Sequence, residues 1–203
     1  MSQPDLRGLM LRLFLPFAAG YFLSYLYRTV NAVLGPVIAG ELALPDNALG
    51  LLTSAYFLAF GAAQLPLGML LDRYGPRRVE ASLLVIAALG AMVFALADGL
   101  TALTLGRALI GLGVSACLMA SFKAFTQWFP PERQASLTGW IMASGGLGAL
   151  AAAKPLEITL GFTGWREVVF GLAVVTLVVA IVLWRFVPDK PASVAAMGWR
   201  EQL

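Results

Sequence analysis

Arg28 is a cationic residue near the middle of a long apolar segment, and polar residues recur around it at helical spacing. Tyr25 and Asn31 lie three residues before and after it, so a helix places all three on one face. A charge at the centre of a bilayer costs roughly 2.5–3.5 kcal/mol on insertion scales, so Arg28 needs a partner. Its planar guanidinium can hold a carboxylate or a phosphate through two hydrogen bonds. The pattern predicts anion binding, with a structural bond to backbone or to the fifth apolar segment as the alternative.

Two further apolar segments carry polar stripes. Arg107, Gly111 and Ser115 recur at intervals of four residues on one segment, and Tyr56 and Gln64 share a face on another. Arg107 can supply a second guanidinium, although a purely structural role is the alternative for this residue as well.

Two lysines lie in or near apolar segments. Lys154 is a secondary candidate for substrate binding, because Glu157 follows three residues later and can pair with it. Lys123 lies roughly 160° around an ideal helix from Arg107, so we expect it at the inner membrane interface. The predicted substrate-binding residues are Arg28, Tyr25, Asn31, Tyr56, Gln64, Arg107 and Lys154.

Other chemistry is excluded by composition. The chain has no histidine, and Cys117 is its only cysteine, so an imidazole metal site, a thiolate cluster and an internal disulfide are ruled out. No serine–histidine or paired-aspartate constellation is present, so we do not expect an enzyme or a cofactor. The net charge of +3 is small and most of the basic residues lie in loops, which disfavours nucleic-acid binding.

The elements that must position these residues are membrane helices. The chain is 60% hydrophobic and 12% charged, against about 25% charged in soluble proteins. A bilayer core needs about 20 helical residues, and Gly, Pro and Asp clusters divide the chain into six apolar segments of sufficient length. These predicted spans are residues 13–39, 48–71, 79–96, 100–129, 136–160 and 165–186.

A charged segment, Gly-Met-Leu-Leu-Asp-Arg-Tyr-Gly-Pro-Arg-Arg, separates the second and third spans. Asp72 ends a helical run, where the helix dipole disfavours a carboxylate, so we expect it to pair only with the neighbouring arginines: Arg73, Arg77 and Arg78. Gly68 lies one turn earlier on the same face and would let another backbone approach closely. Gly75 and Pro76 predict a tight turn. A loop that only sets topology would explain the arginines but not this spacing.

This segment resembles the loop motif of the major facilitator superfamily, Gly-x-x-x-Asp-Arg-x-Gly-x-Arg-Arg. The resemblance assigns a conformational role to its fixed positions: Gly68, Asp72, Arg73, Gly75, Arg77 and Arg78. Residues 107–113, 128–133 and 164–166 are similar to other family signatures in the same order. The glycine-proline signature of many drug-proton antiporters is missing at residues 145–148, which disfavours that branch.

The resemblance implies an all-α membrane protein whose six transmembrane helices form one half of the family's fold, built from two inverted three-helix repeats. The first and fourth helices would line the central cavity with Arg28 and Arg107. The implied function is secondary transport of a small solute by alternating access, and a small organic anion fits the two arginines best. We interpret residues 1–12 as a cytoplasmic segment, 13–186 as the bundle and 187–203 as a cytoplasmic tail that begins the linker between halves.

Family members have two six-helix halves, so we expect a second half to face this one. It would lie in the same polypeptide or, alternatively, in a dimer of a half-size transporter. A non-transporting receptor or assembly partner on the same scaffold is the rival interpretation. Such a protein would bind its ligand without moving it across the bilayer.

Positive charge predicts the orientation. Both termini are expected in the cytoplasm of a plasma or bacterial inner membrane, because one side collects most basic residues: Arg7, Arg12, Arg73, Arg77, Arg78, Arg133, Arg185, Lys190 and Arg200. The opposite loops contain Glu41, Asp46, Asp98, Arg166 and Glu167.

We expect no carboxylate clearly at mid-membrane, because Asp72 belongs to the loop and Glu157 lies near the outer face. If transport is driven by protons, the titrating group is therefore expected in the other half.

Overall fold

The structure is a computed structural model that describes residue 8 and residues 10–188 of the chain. It contains six helical spans that are long and apolar enough to cross a membrane. They are span 1 (Met10–Glu41), span 2 (Ala48–Tyr74), span 3 (Pro76–Ala95), span 4 (Leu100–Trp128), span 5 (Pro131–Leu160) and span 6 (Trp165–Phe186). The predicted all-α architecture with six spans is confirmed. Arg7, Lys190, Arg200 and the predicted tail from residue 189 onward lie outside the described residues.

Three spans are irregular, which the sequence interpretation did not anticipate. Span 1 begins with a π-helical turn, Met10–Phe14, and continues as the α-helix Leu15–Glu41. Span 4 is divided into a first half, Leu100–Gly113, and a second half, Cys117–Trp128. Span 5 is divided into Pro131–Ala151 and Lys154–Leu160.

Each division has a local cause. In span 5, Pro155 has no backbone N–H to donate to the carbonyl of Ala151, so the regular helix ends there. In span 4, the hydroxyl of Ser115 donates to the carbonyl of Leu112 at 2.7 Å and competes with the helical backbone bond. The predicted fourth span is confirmed, and its helix is interrupted at residues 114–116.

The packing of the spans follows an internal symmetry. Span 2 packs against the first half of span 4, and the first part of span 5 packs against span 1. Span 3 packs along span 6 and along the first half of span 4. When span 1 is matched with span 4, span 2 with span 5 and span 3 with span 6, the contact between spans 2 and 4 corresponds to the contact between spans 5 and 1. The contact between spans 3 and 6 corresponds to itself. This is the pairing expected for two inverted three-helix repeats.

Glycines allow close packing at both symmetry-related contacts, between spans 2 and 4 and between spans 5 and 1. A Cβ atom at Gly111 of span 4 would collide with the backbone of Tyr56 in span 2. A Cβ atom at Gly148 of span 5 would collide with the backbone of Phe22 in span 1. Without a strong hydrophobic force between helices in lipid, such close backbone packing supplies much of the association.

Burial differs between the spans. In the most apolar 18-residue stretch of each span, more than half of the residues are buried in spans 1, 3 and 4. The buried share is only 22% in span 2 and 28% in each of spans 5 and 6. Large exposed side chains on span 2 include Leu58, Leu65 and Met69, and those on span 5 include Trp140 and Leu147. Spans 2 and 5 therefore present broad apolar faces to whatever surrounds the bundle.

Candidate functional site

Tyr56 lies where spans 1, 2 and 4 meet. Its side chain is fully buried, and its hydroxyl donates to the carbonyl of Ser24 in span 1 at 3.4 Å. The guanidinium carbon of Arg107 lies 4.9 Å from the centre of its ring. Tyr56 thus joins the predicted residues of span 2 to those of spans 1 and 4.

Arg107 is buried within the bundle and is only 2% exposed. Its Nη1 donates to the carbonyl of Tyr27 at 3.0 Å, and its Nε has no hydrogen-bond partner. Arg107 shares its helix face with Gly111, which presses against the backbone of Tyr56. In this structure that face is a contact between helices of the same bundle. Direct contact between Arg107 and substrate remains a prediction.

Arg28 is half-buried and surrounded by aromatic rings. Its guanidinium carbon lies 4.8 Å from the ring centre of Tyr25, 5.1 Å from that of Phe60 and 5.8 Å from that of Phe57. Its Nε is buried without a hydrogen-bond partner, and no salt bridge to Arg28 is found among the described residues. Phe57 was missed in the sequence, because it is not on the helix face that carries Tyr56 and Gln64.

The two predicted amides form bonds between spans. Asn31 Nδ2 donates to the hydroxyl of Thr53 in span 2 at 3.0 Å, while Asn31 Oδ1 is buried without a partner. Gln64 Nε2 donates to the carbonyl of Ser115 at 3.1 Å. That carbonyl lies at the division of span 4, where regular helical hydrogen bonding is interrupted. Gln64 is therefore engaged with span 4 in this conformation.

The two lysines are paired elsewhere. Lys154 is exposed and donates to Glu157 at 3.0 Å, and none of its described contacts is with the Arg28 cluster. The expectation that these two residues could pair is confirmed. Lys123 forms a salt bridge with Asp72, a pairing that the sequence interpretation did not anticipate.

The loop motif forms the predicted turn. Gly75 has a φ of 81°, a conformation that favours glycine, and Pro76 is the first residue of span 3. Our expectation that Asp72 pairs only with nearby arginines was wrong, because ideal helix geometry did not account for the division of span 4 that precedes Lys123.

The motif arginines make contacts of other kinds. The Arg73 guanidinium lies 5.3 Å from the ring centre of Tyr74. Arg77 Nη1 donates to the carbonyl of Val187 at 3.0 Å and so joins the loop to the end of span 6. Arg78 is exposed. Gly68 is also exposed, and no atom of the described chain lies near the position of its Cβ, so the predicted close approach is not made within this bundle.

The opposite end of the bundle is held by Arg166. Its guanidinium pairs with Glu41 at the end of span 1, lies 3.8 Å from Asp98 and donates to the carbonyl of Ala97 at 3.2 Å. Trp165 Nε1 also donates to Glu41, at 2.8 Å. Glu41, Asp98 and Arg166 therefore lie together at one end, as the predicted alternation of the spans requires.

Glu80 is a buried carboxylate that the sequence interpretation missed. It is the fifth residue of span 3, close to the loop motif, and its side chain is 0% exposed. The signal was available, because Glu80 falls inside the predicted third segment, two residues after the last arginine of the loop motif.

Comparisons with known proteins agree with this architecture. Residues 17–201 match the Major Facilitator Superfamily. The chain is 27% identical to the probable sulfoacetate transporter of Cupriavidus necator over 184 residues, which is 89% of this chain and 43% of that protein. It is 27% identical to the hexuronate transporter of Bacillus subtilis over 175 residues, 86% of this chain and 41% of the relative.

A third relative is the probable L-galactonate transporter of Escherichia coli, with 30% identity over 172 residues, 85% of this chain and 37% of that protein. The chain therefore spans less than half the length of these relatives. With six spans, two symmetric helix pairs and the loop motif at its turn, this integral membrane protein belongs to the Major Facilitator Superfamily.

Proposed function

We propose that this chain forms part of a secondary transporter that moves a small organic anion by alternating access. The observation that carries the proposal is the state of Arg28, a half-buried cation without a described salt bridge. By contrast, Lys123, Lys154 and Arg166 each pair with a carboxylate. An anionic substrate would supply the charge that Arg28 lacks.

The aromatic surroundings of Arg28 suit this role. Aromatic faces stabilise a guanidinium through its charge, while its N–H groups point outward in the guanidinium plane. Tyr25, Phe57 and Phe60 therefore hold the cation without consuming its hydrogen-bond donors. A bidentate carboxylate would use those donors, and a group already held in place loses less conformational entropy on binding.

The names of the relatives support the same substrate class. Sulfoacetate, hexuronate and L-galactonate, the solutes in those names, are all carboxylate anions. The contacts around Arg28 suit the carboxylate group that these three solutes share.

A second six-helix half would complete the transporter. The broad apolar faces of spans 2 and 5 could pack against it, and Arg28 would then face a closed cavity between the halves. We propose that this half is supplied in the same polypeptide or by a second copy, in a plasma or bacterial inner membrane with the loop motif on the cytoplasmic side. Cross-linking between two copies would favour the second arrangement.

A thermal-shift measurement tests anion binding. The purified chain in lipid nanodiscs would be heated with sulfoacetate, galactonate or glucuronate, and with neutral galactose as a control. A ligand at 100 times its Kd stabilises the folded state by about 2.7 kcal/mol, so at least one anion should raise the melting temperature. An equal response to galactose, or no response to any of the anions, would contradict the proposal.

Counterflow in liposomes separates transport from the receptor alternative. A transporter assembly loaded with unlabelled anion should accumulate labelled anion from outside. Anion binding without counterflow, in an assembly that contains both halves, would favour a non-transporting receptor.

A further inference from the structure

Glu80 is the only acidic side chain, within the part of the chain that the structure describes, that is fully enclosed by the helix bundle. Its side chain is 0% exposed, and neither of its carboxyl oxygens has a hydrogen-bond partner. The other described acidic residues are exposed. Four of those exposed carboxylates also face a cation: Glu41, Asp72, Asp98 and Glu157.

Three spans enclose the Glu80 carboxyl group. Gly20 of span 1 lies directly against it, since a Cβ atom at this position would collide with Glu80 Oε1. Leu84, one turn further along span 3, borders the same space. The thiol of Cys117, buried at the start of the second half of span 4, is the titratable group beside the carboxyl.

No cation in the neighbouring elements forms an ion pair with Glu80 among the described residues. On its own span, Arg77 donates to the carbonyl of Val187 and Arg78 is exposed. On span 6, the charged residue at this level is Arg185, which is exposed and lines a surface groove beside Ala81 and Ser82. On span 4, Lys123 pairs with Asp72.

These surroundings favour the neutral acid. A buried carboxylate with no cation and only a thiol, a weak donor, beside it is far more costly than the protonated group, because little replaces the water that it loses. Ionisation breaks the carboxyl O–H bond and passes the proton to water. A movement of span 1 at Gly20 or of span 4 at Cys117 would open the carboxyl group to water.

We propose that Glu80 is a proton-binding site, which holds its proton while Gly20 covers the carboxyl and releases it when span 1 moves away. Gly20 and Arg28 lie on the same helix, roughly 12 Å apart along its axis. A shift of span 1 on anion binding would therefore move Gly20 and change whether it covers the Glu80 carboxyl. This inference rests on the proposed transport function, to which it adds the proton as the coupled ion.

Infrared spectroscopy of the purified chain in nanodiscs at neutral pH tests this directly, without substrate. A protonated carboxyl has a C=O stretching band that an ionised carboxylate lacks. The wild-type chain should show this band, it should shift when glutamate carries ¹³C at its carboxyl, and Glu80→Gln should remove it. Glu132→Gln, which changes an exposed carboxylate, is the matched control and should leave the band in place.

Glu80→Asp provides a second variant if Glu80→Gln does not fold. It should keep a carboxylic-acid band, which should then respond to ¹³C-labelled aspartate and no longer to ¹³C-labelled glutamate. A wild-type chain with no such band, or a band that survives unchanged in Glu80→Gln, would overturn the proposal.

These results are separable from the proposed transport function. Loss of anion-induced stabilisation does not alter a band measured without anion, and an absent band does not alter anion binding at Arg28. A proton on Glu80 that anion binding fails to perturb would refute the coupling and leave the transport proposal intact. We expect saturating anion to reduce the band in the wild type and to leave it unchanged in Arg28→Gln.

Discussion

Lys123 forms a salt bridge with Asp72 and so joins the second half of span 4 to the end of span 2, across 51 residues of sequence. The Asp72 side chain is 79% exposed and that of Lys123 is 25% exposed. A pair so accessible to water contributes little to folding. The position of this salt bridge suggests a role in conformational change. Asp72 belongs to the loop motif, and the salt bridge connects two spans that belong to different three-helix repeats.

Asp72→Asn should therefore affect conformational cycling more than folding. We expect a loss of less than about 1 kcal/mol in the free energy of unfolding, normal membrane insertion, and a reduced rate of counterflow in a transporter assembly. The charge-reversed pair Asp72→Lys with Lys123→Asp should recover part of the rate if pairing itself is what matters. A wild-type rate in Asp72→Asn would contradict a conformational role for the motif.

Arg28→Gln should abolish anion-induced stabilisation while leaving the melting temperature without ligand nearly unchanged. A hydrogen-bonded charge pair contributes about 1.5–3 kcal/mol, so we expect at least a tenfold weaker affinity. Arg28→Lys keeps the charge but loses the two-pronged donor geometry, so it should bind more weakly than wild type and better than Arg28→Gln. The measurement is the Kd of galactonate or sulfoacetate for each variant.

Arg133→Gln is the matched control for these variants, because Arg133 is exposed at the start of span 5. Severe destabilisation of Arg28→Gln without ligand would show that Arg28 is a structural tie. Unchanged anion affinity in that variant would remove the main support for an anionic substrate.

Gly111→Ala should be strongly destabilising. Its new methyl group would meet the backbone of Tyr56, which cannot move without separating spans 2 and 4. Overpacking of this kind typically costs 1–3 kcal/mol, and it should appear as a lower melting temperature. Gly61→Ala is the matched control: nothing lies near its Cβ position, so a neutral or slightly stabilising effect is expected. Equal melting temperatures for the two variants would contradict the close contact.

Labelling of single cysteines should establish the orientation of the chain. In a Cys117→Ser background, Asp46→Cys and Asp98→Cys should react with a membrane-impermeant maleimide added outside intact cells, because both positions are exposed. Arg78→Cys should react only after the membrane is opened. Reaction of Arg78→Cys in intact cells would place the loop motif on the outer side and reverse the proposed topology.

Hydropathy and turn residues were sufficient to predict the spans. The limits of span 6, Trp165–Phe186, agree with the sequence interpretation, and the turn at Gly75 and Pro76 follows from local chemistry alone. Span 5 begins earlier than predicted, at Pro131, because the polar residues of its first turn lowered the apparent hydropathy. The division of span 4 escaped prediction because Val114, Ser115 and Ala116 include no strong helix breaker.

Side-chain partners were harder to predict, because they depend on how the helices rotate against one another. Arg28 and Tyr25 lie together, as their spacing on one helix suggested, and the Tyr56 hydroxyl of span 2 lies beside Arg28. Arg107 lies at a contact between helices, since Gly111 on the same face allows span 2 to come close. The pairing of Asp72 with Lys123 depends on a helix interruption that periodicity does not reveal.

The division of span 4 also distributes its backbone acceptors among other helices. The carbonyl of Val114 accepts a hydrogen bond from the Ser24 hydroxyl at 3.4 Å, and that of Ser115 accepts one from Gln64 at 3.1 Å. Spans 1 and 2 thus use bonds that an uninterrupted helix would have kept for itself. The junction at residues 114–116 is consequently attached to spans 1 and 2, so a movement of either span would act where the half of span 4 with Arg107 meets the half with Lys123.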